Sequence, residues 1–131
     1  MRDPISNLII QLKNGSAAKK DAIVMQHSNF AESVAQALAR KGYVKPAVVK
    51  GKTVSTKSLE VGLIYNPSGS PRITDVKRLS KPSKRIYKGY TEIHQVKQGY
   101  GSTFVSTPKG ILSDDEVRKE KIGGEVLFQI W

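Results

Sequence analysis

The sequence of 131 residues contains no cysteine. Disulfide bonds, thiolate metal ligands and a cysteine nucleophile are therefore excluded. It has only two histidines, His27 and His94, which lie far apart in sequence and give little basis for a zinc site. We expect neither a bound metal nor a cofactor, and the lack of cysteine fits a cytoplasmic location.

Acidic residues and long apolar runs are also scarce. The 11 Asp and Glu residues stand against 22 Lys and Arg residues, which gives a formal net charge of +11. Charge of one sign repels itself within a compact fold, so a polyanionic partner is the natural explanation. Nucleic acid is the first candidate. A membrane is not expected, because no apolar run approaches the roughly 20 residues that span a bilayer.

Helix and strand patterns alternate in the first half of the chain. The first helix is predicted to be capped by Asp3, with Pro4 in its first turn, and to end at Gly15. Its apolar residues recur at the spacing of one buried stripe: Ile5, Leu8, Ile9 and Leu12. A short apolar strand is predicted over residues 22–26.

A second helix and a strand pair complete this half. Ser28 or Asn29 is predicted to cap the helix, and Gly42 to end it. Its inward face is predicted from three residues: Phe30, Val34 and Leu38. Residues 43–50 and 59–65 then alternate with a period of two, which predicts antiparallel strands.

The stretch Asn66-Pro67-Ser68-Gly69-Ser70-Pro71 concentrates turn formers and predicts a boundary. We therefore predict an α+β fold of two small α/β domains. Residues 1–66 form an α-β-α-β-β unit, and residues 67–131 form a mostly β unit with short helices. The elements predicted in the second unit are strands at 72–79, 86–88, 102–106 and 125–131 and one or two helical turns at 92–98. A helix is also predicted that begins with the capping box Ser113-x-x-Glu116 and ends at Gly123-Gly124.

Positive charge is densest between residues 72 and 109. Nine basic residues there oppose Asp75 and Glu92, a net of +7. The basic residues are Arg72, Lys77, Arg78, Lys81, Lys84, Arg85, Lys88, Lys97 and Lys109. Three tyrosines lie among them, namely Tyr87, Tyr90 and Tyr100, and tyrosines near cations can stack on unpaired bases. This pattern favours RNA binding, and the alternative is a solvated basic face whose tyrosines fill the core.

The segment Ser106-Thr107-Pro108-Lys109-Gly110 is the most informative motif. Hydroxyls on a proline-fixed strand end can hydrogen-bond riboses, base edges and phosphates. Ser106 and Lys109 formally match a serine–lysine acylation motif, but Pro108 and Gly110 exclude the helix that this chemistry uses, and the companion triplets are absent. We therefore expect no enzymatic activity and no small-molecule substrate. The remaining alternative is a turn that only reverses the chain.

These residues together resemble the family of bacterial small-subunit ribosomal protein number eight. The matching segments run in order along the whole chain: Asp3-Pro4-Ile5, Lys13-Asn14-Gly15, Arg85-Ile86-Tyr87, Gly99-x-Gly101, Ser106-Thr107-x-Lys109-Gly110 and Gly123-Gly124-Glu125. The resemblance implies two α/β domains that bind the central domain of small-subunit ribosomal RNA, help its assembly in the cytoplasmic ribosome, and contact neighbouring small-subunit ribosomal proteins. A free RNA-binding translational regulator is the alternative function.

The resemblance also implies the RNA-binding residues. In the second domain these are Tyr87, Ser106, Thr107, Lys109, Gly123, Gly124 and Glu125, to which the charge pattern adds Lys84 and Arg85 and the loop adds Pro108. A secondary contact in the first domain would use Lys13, Asn14 and Ser28. Three departures from the family pattern are Pro108 in place of a serine, Asn29 and Ala31 in place of lysines, and Tyr100 in place of a leucine.

Overall fold

The computed structural model describes residues 4–53, 56–81, 83–94 and 101–131. It confirms an α+β fold with two antiparallel sheets. The chain divides into two compact units, residues 1–74 and 75–131. The predicted boundary near Asn66 lies before this division, because residues 71–72 are hydrogen-bonded to residues 64–65 of the first unit. Tyr65 bridges Pro71, and the amide of Arg72 donates to the carbonyl of Ile64 at 3.0 Å. The division into domains at 66 and 67 stays a prediction.

The first unit contains the predicted α-β-α-β-β order. Its elements are α1 (Pro4–Ala17), β1 (Ala22–Gln26), α2 (Asn29–Arg40), β2 (Val48–Lys50) and β3 (Ser58–Gly62). The sheet has the order β1-β3-β2, with Ile23 opposite Val61 and Val49 opposite Leu59. The predicted strand over 43–50 is shorter, because Pro46 offers no amide to the ladder.

Helix α1 buries the four residues of its predicted stripe, but it does not end at Gly15. A Cβ at Gly15 would lie 2.9 Å from Cγ2 of Ile23, so glycine serves close packing of the helix on β1. The helix ends at Ala17, where Lys19 takes the left-handed conformation and the Lys20 amide donates to the Gly15 carbonyl at 3.0 Å. This closing pattern normally uses glycine. The predicted cap, Asp3, lies outside the described residues.

Helix α2 is capped by Ser28, whose Oγ accepts from the amide of Ala31 at 3.1 Å. Val34 and Leu38 are buried as predicted, but the prediction for Phe30 was wrong, because its side chain is exposed. Residues four apart advance by roughly 40° around a helix, so Phe30 lies roughly 80° from Leu38 and off the buried face. The helix ends at Arg40, two residues before Gly42, which has a φ of +82°.

The second unit is a sheet covered by one short helix. Its elements are β4 (Val76–Arg78), β5 (Tyr87–Lys88), a 3-10 turn (Tyr90–Glu92), β6 (Ser102–Thr107), β7 (Gly110–Ser113), α3 (Asp114–Glu120) and β8 (Gly124–Ile130). The strand order is β4-β8-β6-β7, and β5 also pairs with β8. The core includes Ile93, Val105, Val117 and Val126.

The capping box of α3 is confirmed, since the Ser113 amide donates to Oε1 of Glu116 at 2.9 Å. The predicted helix over 92–98 was wrong at its start, because Ile93 is extended and ends a single 3-10 turn. Residues 95–98 of that prediction lie outside the described residues. Strand β7 was not predicted, and the strand predicted over 72–79 is limited to Val76–Arg78.

Candidate nucleic-acid interface

Three strands of the second unit present polar residues at one end of the sheet. Glu125, near the start of β8, lies opposite Tyr87 of β5 on one side and opposite Ser106 of β6 on the other. Partners in antiparallel strands place their side chains on the same face. Tyr87, Glu125 and Ser106 therefore form a row across three strands, and the side chain of Tyr87 is 67% exposed.

Gly123 and Gly124 hold this end of the sheet together because they have no side chains. A Cβ at Gly123 would overlap the carbonyl of Lys88 and Cα of Gly89. A Cβ at Gly124 would overlap the carbonyl of Ser106 and come within 3.3 Å of Cα of Thr107. The two glycines thus let the three strand ends approach closely. Close packing of the strands is therefore a sufficient reason for glycine at both positions, apart from the RNA contact that the resemblance implies.

The turn between β6 and β7 is braced by one hydroxyl. Oγ1 of Thr107 donates to the carbonyl of Gly110 at 2.8 Å and accepts from the amide of Lys109 at 3.2 Å. Ser106 differs, because its half-buried hydroxyl has no hydrogen-bond partner among the residues that the structure describes. Pro108 and Lys109 are exposed at the tip. The sequence pattern did not distinguish the two hydroxyls, but only that of Thr107 makes hydrogen bonds within the described part of the protein.

We call this set of eight residues the strand-end surface: Tyr87, Ser106, Thr107, Pro108, Lys109, Gly123, Gly124 and Glu125. All eight were predicted as RNA-binding residues, and the fold brings them to one place. Because Ser106 and Lys109 lie on a hairpin rather than on one helix, their arrangement is not that of the acylation motif.

Two ion pairs join this surface to its surroundings. Arg85 Nη1 lies 3.3 Å from Glu125 Oε1, with the arginine side chain 58% exposed and the glutamate 15% exposed. Lys109 Nζ lies 3.5 Å from Oε2 of Glu120, at the end of α3, and both side chains are exposed. Two of the cations predicted to bind RNA, Arg85 and Lys109, are therefore each paired with a carboxylate.

The basic loop that follows β4 is closed at its base by a buried serine. Oγ of Ser80 accepts from the amide of Ile86 at 2.9 Å and donates to the same residue's carbonyl at 3.3 Å. Lys81 and Lys84 exchange backbone hydrogen bonds at 2.9 and 3.0 Å within the loop. This closure presents Lys84 and Arg85 on the exposed approach to Tyr87.

The nine basic residues of the cluster between 72 and 109 do not all lie on one exposed surface. Six of its members are exposed in the second unit: Lys77, Lys81, Lys84, Arg85, Lys88 and Lys109. Arg72 is in the first unit, where its guanidinium carbon lies 4.2 Å from the ring centroid of Tyr43. Arg78 is half-buried and donates to the carbonyl of Ser80. Lys97 lies outside the described residues.

The three tyrosines also separate. Tyr87 is exposed on the strand-end surface, whereas Tyr90 is half-buried and packs against the core. Tyr100 lies outside the described residues. Tyr87 is thus the tyrosine in the described part of this unit that is placed to stack on a base.

The residues predicted for a secondary contact lie in the first unit. Lys13 and Asn14 are exposed in the last turns of α1. Ser28 is half-buried, and its hydroxyl caps α2. Its side chain therefore has a structural role in the protein.

Two residues near the strand-end surface were not among the predicted site residues. Lys88 is exposed and lies opposite Gly124, and Glu120 pairs with Lys109 across the turn. Lys88 belongs to the basic cluster of the sequence, but its place beside this surface depends on strand register, and that of Glu120 depends on how α3 packs; neither can be read from the sequence. In the described ranges, we find no group of three His, Cys, Asp or Glu residues able to hold a metal ion. Among the same residues, no helix has the length and apolarity needed to cross a membrane.

Comparison with known proteins gives consistent matches along the whole chain. The sequence model of the family described as Ribosomal protein S8 matches residues 3–131. The chain is 40% identical over 131 residues to a small ribosomal subunit protein uS8 from Zymomonas mobilis, and 37% identical over 131 residues to one from Chloroflexus aurantiacus. Each alignment covers 100% of this chain and 98% of the relative. A protein of the same description from Persephonella marina is 38% identical over 133 residues.

Proposed function

Because this chain belongs to the ribosomal protein S8 family, we propose that it is a structural constituent of the small ribosomal subunit that binds the central domain of the small-subunit ribosomal RNA and helps its assembly. Its relatives are small ribosomal subunit proteins, which supports a structural and non-enzymatic role. The proposed place of action is the cytoplasmic ribosome, where neighbouring small-subunit ribosomal proteins are the other partners.

The observation that carries this proposal is the row of Tyr87, Glu125 and Ser106 beside the basic loop. Neighbouring strands lie about 4.8 Å apart, so the row spans roughly 10 Å. An exposed tyrosine ring can stack on an unpaired base, and a hydroxyl within that span can hydrogen-bond the ribose or base edge. Sequence-specific recognition of RNA mostly uses such unpaired bases in irregular regions.

The lysines around the surface supply a different contribution. Phosphate contacts position a nucleic acid without reading its sequence. Lys81 and Lys84 in the loop before β5 and Lys88 on β5 are exposed and can make such contacts, and we call these three lysines the basic rim. We therefore assign affinity mainly to this basic rim and specificity mainly to the strand-end surface.

The test is direct binding of the full-length protein to separate transcripts of the small-subunit ribosomal RNA domains, at one fixed salt concentration. We expect the central-domain transcript to bind at least a thousandfold more tightly than transcripts of equal length from the other domains, the lower end of specific over non-specific binding. Equal affinity for all transcripts would contradict central-domain recognition.

Sedimentation tests the second part of the proposal. A constituent of the small subunit should travel with that subunit at moderate salt, in about equal amount to the other subunit proteins. Recovery mainly in the unbound fraction would favour a free translational regulator.

A further inference from the structure

The strand-end surface combines uncharged polar groups with cations that are paired to carboxylates, although the protein carries a net charge of +11. Arg85, beside its row of polar groups, is paired with Glu125 at 3.3 Å, and Lys109 at its tip is paired with Glu120 at 3.5 Å. A carboxylate repels phosphate, so neither glutamate helps to hold an RNA backbone.

We propose that Glu125 keeps Arg85 from binding phosphate indiscriminately, so that the strand-end surface selects RNA through uncharged groups rather than attracting any polyanion. This inference rests on the proposed function. It assigns to Glu125 a positioning and specificity role, in which a repulsive element acts against wrong partners. Glu120 has the same relation to Lys109, with less effect because that pair is exposed.

Burial explains why the arginine pair has the stronger effect. Glu125 is 15% exposed and lies on β8 between two paired strands, so its carboxylate is held in place. Arg85 lies in the loop before β5 and is 58% exposed. An ion pair that is partly shielded from water is stronger than an exposed one. The more buried glutamate therefore positions the more exposed arginine, and not the reverse.

Lys84 provides the internal comparison. It precedes Arg85 in the same exposed loop, and in the described part of the chain its ammonium group has no ion-pair partner. The two neighbours carry the same charge, but the structure pairs only Arg85. If pairing matters, removal of each cation will change non-specific RNA binding by different amounts.

The experiment measures how the affinity of the full-length protein for poly(U) depends on salt between 50 and 200 mM. Each phosphate contact to a single strand contributes about 0.7 to the slope of log affinity against log salt. We expect Lys84→Ala to reduce the slope by about 0.7 and Arg85→Ala to reduce it by less than half as much. Glu125→Gln, which keeps an acceptor oxygen, should raise the slope by about 0.7 and the affinity by about fivefold, the equivalent of one charge pair at 4 Å in water.

The double variant Arg85→Ala/Glu125→Gln separates Arg85 from net charge. It should return the slope to that of Arg85→Ala alone, because the unmasked cation has been removed. Glu60→Gln is the matched control, since Glu60 pairs with Lys50 in the first unit and the charge change is identical. An equal rise in Glu60→Gln and Glu125→Gln would show that only net charge counts and would overturn the proposal. An equal reduction of the salt slope in Lys84→Ala and Arg85→Ala would also overturn it. This second comparison keeps Glu125 unchanged, so it can be read even where Glu125→Gln does not fold.

Poly(U) contains no ribosomal sequence, so the salt slopes measured with it do not depend on recognition of the central domain. If the wild-type protein fails to prefer the central-domain transcript, the proposed function fails while the charge comparison remains readable. If both hold, Glu125→Gln should also reduce the preference for the central-domain transcript over poly(U) by about fivefold, since its non-specific affinity rises.

Discussion

Ser106 and Thr107 are adjacent hydroxyl residues, and the structure predicts opposite consequences for their removal. Thr107 braces the turn through two hydrogen bonds of its hydroxyl, whereas the hydroxyl of Ser106 has no hydrogen-bond partner within the described ranges. A typical intramolecular hydrogen bond contributes about 1 kcal/mol to stability. Replacement Thr107→Val keeps the branched shape and removes both bonds, so we expect a loss of about 1–2 kcal/mol. For a chain of this length that corresponds to a Tm lowered by roughly 4–8 °C.

Ser106→Ala removes a hydroxyl that the protein does not use internally. Its Tm should change by less than about 1 °C, because surface substitutions away from specific contacts are usually within about 0.5 kcal/mol. Its affinity for the central-domain transcript should fall by about 1–3 kcal/mol, the cost of leaving a buried RNA group without its partner. Thr107→Ser, which keeps the hydroxyl, is the matched control for Thr107→Val.

The assay measures thermal unfolding and RNA affinity on the same samples. A Tm lowered in Ser106→Ala and unchanged in Thr107→Val would refute this reading of the turn. Unchanged affinity in Ser106→Ala with an unchanged Tm would remove Ser106 from the proposed RNA contacts.

Three further predictions follow from the same surface. Gly124→Ala should lower the stability by about 2 kcal/mol, because its Cβ would overlap the carbonyl of Ser106; a Tm within 1 °C of wild type would contradict this close approach. Tyr87→Ala should leave the Tm unchanged, since the ring is exposed, and weaken RNA binding by about 1–3 kcal/mol, while Tyr87→Phe retains most of the affinity; equal losses in both variants would argue against stacking. Affinity for the RNA should fall about a thousandfold or more between 50 and 200 mM salt if six or more phosphates are contacted, and a flat response would indicate a protein partner instead.

Local signals in the sequence were sufficient for most elements of the fold. The stripe of Ile5, Leu8, Ile9 and Leu12 and the capping box at Ser113 depend on neighbours along the chain, and both are confirmed. The errors at Phe30 and in the strand over 43–50 have local causes, whereas the error at Gly15 arose where distant packing decides. Glycine is typical of a helix end, but Gly15 lies inside α1, where it allows close contact with Ile23. This contact depends on how β1 packs against α1.

The candidate site shows the same division. Its residue types were visible in the sequence, and the resemblance to a family supplied the common function that we propose for them. The distinct tasks of Ser106 and Thr107 were not predictable, because they depend on which oxygen reaches the carbonyl of Gly110. The pairing of Arg85 with Glu125 joins residues 40 apart and is set by the register of β5 on β8.

We propose that the strand-end surface contacts the central domain of the small-subunit ribosomal RNA, and directed cleavage of the RNA tests this contact. The chain has no cysteine, so Pro108→Cys creates a single site for a tethered iron chelate that cleaves nearby RNA. Pro108 is exposed at the tip of the turn. In small subunits reconstituted with this variant, we expect cleavage concentrated in the central domain. Cleavage concentrated in another domain, or none above the level of the cysteine-free protein, would contradict it.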